Sequence, residues 1–279
     1  MFRANSQWGR LVSKRDFIFD QPHARRFVEA RQELLVRALE DLRGKAGIRT
    51  VADVGCGVGY FSEFLAKQGF EVSGFDGRPG NIEEAQRRYP KLRFGVADVE
   101  DAPVAAERAF DMVLCAGLLY HLENPLRALR NLAAVTDKVL VIESYATPQK
   151  GTMFFLRDEA DYEDQSLTSM ALYPSESSIV KICYRIGFAA VCRLTPLPRH
   201  EDFEDTYRQK RKRTMLVASR VKLDSPYLAR VAEPQDYADP WRTKAGGVLG
   251  YASRLRERLS SKKSAKRKGM PANAEEMKG

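Results

Sequence analysis

The apolar positions of this chain change period several times, and each change predicts an element. Over residues 23–43, Phe27, Leu34, Leu35, Ala38, Leu39 and Leu42 recur every three to four residues with Arg and Glu between them. That is the spacing of an amphipathic helix. Gly44 and Gly47 end it. From residue 49, short continuous apolar runs alternate with helical stretches. Strands are predicted at 51–54, 70–75, 92–96, 110–115 and 139–142, and helices at 60–68, 81–88 and 125–135. Strands separated by helices of this length build parallel βαβ units, so the predicted class is α/β, doubly wound.

Residues 145–173 lose both periods. Phe154-Phe155-Leu156 is followed by the acidic run Asp158-Glu159-Ala160-Asp161-Tyr162-Glu163-Asp164. A stretch of that length in a compact domain reads as a lid or an insertion. Pro174 opens a predicted helix ending near Gly187, and strands follow at 188–194 and 214–218. Beyond about Lys222, Pro226, Pro234 and Pro240 mark a linker-like stretch. Val248, Leu249, Ala252, Leu255 and Leu259 then make a helical stripe, and the end is rich in Lys, Ser and Ala. The expected organisation is a helical segment or lid at 1–47, an α/β domain at 48–223, and a linker, amphipathic helix and basic tail at 224–279.

Composition changes little: 44% hydrophobic and 30% charged residues are ordinary for a globular chain of 279. No apolar run approaches the roughly 18 residues of a membrane span, and the first residues lack the apolar stretch of a signal peptide. The four cysteines, Cys56, Cys115, Cys183 and Cys192, form no CxxC pair and read as reduced thiols of a cytoplasmic protein. Charge matters more. Residues 254–279 hold nine basic and three acidic side chains, so this tail carries +6 of the net +9. This basic amphipathic tail reads as a solvated, frayed end, with peripheral membrane or acidic-partner contact as the alternative. There is no P-loop, zinc spacing or nucleophilic cysteine motif.

The chemistry concentrates in Asp53-Val54-Gly55-Cys56-Gly57-Val58-Gly59, between a predicted strand and a predicted helix. Glycines let a backbone turn sharply and approach a ligand. A dinucleotide fingerprint is Gly-x-Gly-x-x-Gly. Here the spacing is Gly-x-Gly-x-Gly behind an acid, which would repel a pyrophosphate and welcome a cationic amino-acid end. Asp76, turned by Gly77 after the second strand, can accept both hydroxyls of a ribose. Asp98, after the third, can accept from an adenine amino group, with the Val99 amide beside it. The fourth strand runs into the small residues Cys115, Ala116 and Gly117. Each acid taken singly is equally a helix cap or turn closer. In order, at successive strand ends, they point to one ligand site.

With those residues in place, the chain resembles the class I S-adenosylmethionine (SAM)-dependent methyltransferases over roughly residues 48–220. The resemblance implies that Asp53, Gly55, Cys56, Gly57 and Gly59 hold SAM, Asp76 its ribose and Asp98 its adenine side. It implies a Rossmann-like seven-stranded sheet of order 3-2-1-4-5-7-6 with the last strand antiparallel, and S-adenosylhomocysteine (SAH) as product. Gly117-Leu118-Leu119-Tyr120-His121-Leu122-Glu123-Asn124-Pro125-Leu126, with Glu143-Ser144 and Tyr173-Pro174-Ser175, is similar to a branch containing tRNA wobble-uridine carboxymethyltransferases and many small-molecule enzymes.

His121, just past the fourth strand, is the candidate general base, with loop ordering as the competing role. Tyr120 reads as a cofactor or acceptor contact, or as core. Glu143 reads as a capping or ion-paired carboxylate, with acceptor or metal contact as the alternative. Asp161, Glu163 and Asp164 lack calcium-loop spacing, and no metal is expected. Arg208, Lys210, Arg211, Lys212 and Arg213 read as a solvated edge, or as a phosphate contact if the substrate were RNA. The expected function is methyl transfer from SAM to an O or N acceptor on a small molecule. The alternatives are a tRNA-modifying methyl- or carboxymethyltransferase and a non-catalytic interaction module of the same fold.

Overall fold

The computed structural model describes residues 17–105, 108–147, 151–159, 166–197, 200, 203 and 212–235. Helix α1 (Pro22–Lys45) leads into strands β1 (Thr50–Val54), β2 (Glu71–Asp76), β3 (Arg93–Val96), β4 (Phe110–Ala116) and β5 (Thr136–Ala146). Helices α2 (Tyr60–Lys67), α3 (Pro79–Arg88) and α4 (Pro125–Ala134) follow β1, β2 and β4. Then come β6 (Phe154–Asp158), β7 (Met170–Pro174), α5 (Glu176–Arg185), β8 (Ala190–Leu194), β9 (Lys212–Ser219) and β10 (Leu228–Val231). The sheet order is β3-β2-β1-β4-β5-β9-β8-β10. Neighbours among β1 to β5 are parallel, and β9 runs antiparallel to both β5 and β8. The order expected for seven strands therefore holds.

Both faces of this sheet are covered. Along β4, Met112 and Leu114 enter one apolar cluster with α1 residues Leu34, Leu35 and Leu42, while Val113 and Cys115 enter the other with α4 residues Leu129 and Leu132. On β5, Val139 and Val141 face the first cluster, and Leu140 and Ile142 the second. Alternate side chains of a strand point to opposite faces, so a strand buried on both sides must be apolar throughout.

Three expectations are corrected. The sheet has an eighth strand, β10, in the stretch expected to be a linker. Among the described residues it pairs, antiparallel, with β8 alone, and an edge position tolerates the prolines on either side, Pro226 and Pro234. The irregular segment holds a two-stranded antiparallel ribbon, β6 with β7. Its inner face, Ala171 and Tyr173, packs on Tyr120, while Phe155 and Leu156 are exposed and mask the alternation. Pro174 closes β7 instead of opening a helix, and the Ser175 hydroxyl caps α5 by accepting from the Ser178 amide (3.2 Å).

Candidate active site

The ends of β1, β2, β4 and β5 lie side by side because of the register. Asp53 pairs across to Gly74 on β2 and Leu114 on β4, Asp76 to Val96 on β3, and Glu143 to Ala116 on β4 and Met215 on β9. Gly55, Gly57 and Gly59 all adopt left-handed backbone, with φ of 77°, 54° and 90°. Gly57 also lies under the Phe19 ring, where a Cβ would stand 2.9 Å from Phe19 Cζ. Residues 17–20 are tied over the loop by Asp20, which meets Arg88 (2.7 Å) and the Tyr60 hydroxyl. Those hydrogen bonds, Arg88's first, hold the Asp20 carboxyl down at about 2 despite partial burial. Gly57→Ala should cost about 1–2 kcal/mol from backbone strain alone, read as a lowered midpoint in denaturant melts. An unchanged midpoint would contradict the strained loop.

Asp53 is buried, and the Ser62 hydroxyl donates to its Oδ2 (2.6 Å). Burial pushes its carboxyl up to about 7, with Asp76 adding to the rise and the Ser62 hydrogen bond opposing it. Asp76 accepts from the Gly57 amide (2.9 Å) on Oδ2, and from the Arg78 amide (2.9 Å) and Asn81 Nδ2 (3.0 Å) on Oδ1. Three of roughly four acceptor positions are thus engaged, one of them by a side chain. Gly77 lies beneath Leu167, and Arg78 donates to the Ser166 carbonyl (2.6 Å). Asp98 accepts from the Glu100 amide (2.8 Å), closing its own turn, and Val99 is buried.

The other half of the sheet edge is cationic and aromatic. Arg31 reaches from α1 to Glu143 Oε2 (3.0 Å), and Arg213 from β9 to Glu143 Oε1 (2.9 Å). Arg213 also donates to the Tyr120 hydroxyl (3.2 Å). Tyr145 and Arg213 are direct cross-strand partners, and the guanidinium stands 3.6 Å from the Tyr145 ring and 4.0 Å from Phe27. Burial pushes Glu143 up, but Arg213 and Arg31 outweigh it and hold the carboxyl below its ordinary value. Tyr120, Tyr145 and Tyr173 pack on one another, with centroids 4.7 to 6.3 Å apart. Gly117, at φ 79°, leaves room for Arg31, whose Nη1 would lie 2.9 Å from a Cβ there.

His121 ends a short 3-10 turn (Leu119–His121), packs its ring against Tyr120 in a tilted contact with centroids 4.2 Å apart, and pairs through Nδ1 with Glu159 Oε1. Glu159 Oε2 accepts from the Ser166 amide (2.6 Å). Burial pushes Glu159 up, and the hydrogen bonds from His121 and Ser166 bring it below its ordinary value. The tip of the ribbon therefore touches the ends of both β4, through His121, and β2, through Gly77 and Arg78.

The structure thus gathers Asp53, Gly55, Gly57, Asp76 and Gly77 at one end of the edge, and Gly117, Tyr120 and His121 at the other. Cys56 and Cys115 are buried, and burial raises both thiols. Cys115 lies in the core cluster, so it can offer a ligand its main chain only. Tyr120 belongs with Arg213, Tyr145 and Tyr173. Arg213, read as part of a solvated edge, is buried, because Glu143, Tyr120 and two rings enclose its charge. Sequence reasoning missed Arg31 and Glu159. Arg31 sits on the apolar stripe of α1, between Val28 and Leu34-Leu35, a visible signal. Asp161, Glu163, Asp164, Arg208, Lys210, Arg211 and residues 236–279 lie outside the described residues. Among the described residues no group of three or more His, Cys, Asp or Glu could hold a metal, and no helix is long and apolar enough to cross a membrane.

Comparison with known proteins bears on the fold and the family. Residues 52–139 match the family model described as a methyltransferase domain. The chain is 37% identical over 89 residues to the ubiquinone biosynthesis O-methyltransferase of Coxiella burnetii (strain RSA 493 / Nine Mile phase I), covering 30% of this chain and 38% of that protein. The like-named protein of Pseudomonas paraeruginosa is 36% identical over 104 residues, 35% of this chain and 43% of its own. The chain therefore spans about two fifths of the length of these relatives. Among solved structures, the N-terminal domain of EvdMO1, determined with SAH and D-fucose, superimposes with a TM-score of 0.56 at 21% identity, over 67% of this chain and 83% of that one. An S-adenosylmethionine-dependent methyltransferase from Listeria monocytogenes, titled as putative, gives 0.53 at 16%, over 70% and 100%. At these identities the likeness is one of fold.

Proposed function

We propose that this chain, which carries a class I SAM-dependent methyltransferase domain, moves a methyl group from SAM to an oxygen or nitrogen of a small-molecule acceptor, in the cytoplasm. The observation that carries the reading is the glycine loop, in which a buried acid, Asp53, stands behind three left-handed glycines, the middle one of which, Gly57, donates its amide to Asp76. A carboxyl that burial holds near neutrality is a place for a cation, and the ammonium of an amino acid fits it. SAM, when bound, supplies an electrophilic methyl on a sulfonium. Asp53 would hold its ammonium, the loop amides and Asp76 its ribose, and Asp98 with Val99 its adenine side. Glu159 fixes Nδ1 of His121 and so leaves Nε2 to take the acceptor's proton, while the ribbon excludes water. Among the described residues, Arg31 and Arg213 are buried and ion-paired with Glu143, which favours a small acceptor over RNA.

Calorimetry with SAH, followed by transfer of labelled methyl from SAM, tests the reading. Micromolar SAH binding with label transfer is the expected result. A well-folded protein that ignores SAH would overturn it and leave a carboxylated SAM or a non-catalytic role. Proton linkage gives an independent check. The raised Asp53 carboxyl stabilises the chain fully below the unfolded value near 4, and that stabilisation is lost as pH rises towards about 7. An ammonium would draw Asp53 back to its ionised form, so SAH binding near pH 6 should release a proton. Its heat should then depend on buffer ionisation and cease to do so by about pH 8.5. Buffer-independent heat at pH 6 would remove Asp53 from the ammonium site. Glu159→Gln should lower kcat about tenfold while leaving SAH affinity unchanged, because His121 loses its fixed tautomer. Unchanged kcat would reduce the pair to a structural contact.

A further inference from the structure

Resting on the methyltransferase reading above, we infer that residues 17–20 are a clasp on the SAM pocket. Phe19 is a removable wall over Gly57, the contact of Asp20 with Arg88 and Tyr60 is its lock, and the cofactor enters and leaves when that lock opens. The first ground is where the Phe19 ring lies. Gly57 has left-handed backbone, and a Cβ there would stand 2.9 Å from Phe19 Cζ and 3.1 Å from Cε2. The ring therefore fills the place of the side chain that the loop lacks. The Gly57 amide is turned elsewhere, to Asp76 Oδ2 (2.9 Å). Ring and ribose acid thus meet the middle glycine of the loop from different directions, as a wall and a ligand contact must.

The second ground is what holds the ring there. Phe17 and Phe19 are half-buried and belong to neither of the apolar clusters that cover the sheet. Their place is set by a short 3-10 turn (Ile18–Asp20), in which the Asp20 amide donates to the Phe17 carbonyl (2.8 Å). That turn is tied down by Asp20. Arg88 donates Nη1 to Oδ1 (2.9 Å) and Nη2 to Oδ2 (2.7 Å), a planar fork on a carboxylate, and the Tyr60 hydroxyl donates to Oδ1. Tyr60 opens α2, directly behind the glycine loop, and Arg88 closes α3, the helix that follows Asp76. The lock therefore joins the helices behind the two cofactor acids Asp53 and Asp76. The third ground is energetic. Asp20 and Arg88 are 27% and 17% exposed. An ion pair within reach of water fixes a geometry and adds little net stability, because water replaces its hydrogen bonds when it parts. A large apolar ring held over a ligand loop by such a pair, and not by the core, is built to lift.

The test measures SAH association and dissociation rates by surface plasmon resonance on the full chain, for wild type, Asp20→Asn and Phe19→Ala. Asp20→Asn keeps the shape of the lock and removes its charge. It should raise both rates about tenfold and leave Kd within about threefold, since the lock touches the strap and not the ligand. Phe19→Ala removes the wall itself, so dissociation should rise about tenfold and more than association does, which weakens binding. Melting curves confirm the fold, and if one variant fails to fold the other carries the comparison. A merely structural tie would lower the melting midpoint and leave both rates as they are, and that result would overturn the clasp. So would a gain in SAH affinity of tenfold or more in Phe19→Ala, because the ring would then occupy the ligand's own place. Faster release in Phe19→Ala alone would leave a wall without a lock and overturn the inference as stated. Wild type that binds SAH, with variants that match its rates, removes the clasp and spares the methyltransferase reading. Wild type that ignores SAH removes that reading and the clasp with it.

Discussion

Glu143→Gln should destabilise the protein by about 3–5 kcal/mol, because it removes the buried carboxylate on which the Arg31 and Arg213 guanidinium groups converge. Arg31 and Arg213 each meet one oxygen of Glu143, and β5 is fixed between β4 and β9, so the carboxylate and Arg213 are held in place by the sheet. Arg31→Gln keeps the shared acid paired with Arg213 and should cost less, about 1–3 kcal/mol of lost hydrogen bonding and packing. Denaturant melts of the two variants decide the matter. If Arg31→Gln proved the more damaging, the cluster would not be held together by its carboxylate. The pH dependence has a definite sign. Glu143 is held below its ordinary value in the folded chain, so its contribution is present above the unfolded value near 4.3. It is lost only as pH falls through the lower folded value. The stability gap between wild type and Glu143→Gln should therefore be flat from neutrality to about pH 5 and close in stronger acid.

The elements that sequence shows well here are those whose local signal and tertiary role agree. The βαβ units are legible because β1, β4 and β5 are buried on both faces, so their middles are apolar runs such as Met112–Cys115 and Val139–Ile142. The glycine loop is legible because left-handed backbone at Gly55, Gly57 and Gly59 needs that residue type. What stayed hidden depends on partners far along the chain. Arg213 opens a strand face that continues through Met215 and Val217, yet the basic run before it makes it look solvated. Its charge becomes a buried one only through Glu143, 70 residues earlier. Glu159 stands at the head of an acidic run, and only the fold of the ribbon brings it to His121, 38 residues away. Strand β10 is masked by the prolines that an edge position permits. Arg31 differs from these, since a lone arginine on the apolar stripe of α1 is an anomaly in the sequence itself.

Asp76→Ala should weaken SAH binding by about 100-fold or more while lowering stability by only about 1–2 kcal/mol. The two effects separate because Asp76 does two things. Within the chain it accepts from the Gly57 and Arg78 amides and from Asn81, and the neutral part of that network is worth little net free energy once water can replace it. Towards a ribose it offers a charged acceptor through the remaining position on Oδ2 and the one held by the Asn81 side chain, and charge-assisted hydrogen bonds are each worth about 1.5–3 kcal/mol. Losing Asp76 also frees Gly57, so the loop amides are no longer arranged before the ligand arrives. Asp98→Ala provides the contrast. Asp98 closes its own turn at Glu100 and meets the adenine side alone, so its loss should weaken SAH binding about tenfold. If Asp76→Ala bound SAH like the wild type, the glycine loop would be a structural turn and the cofactor would have to be sought elsewhere on the sheet edge. If it lost both SAH and its fold, Asp76→Asn, which keeps one acceptor without the charge, would show which of its two tasks the fold requires.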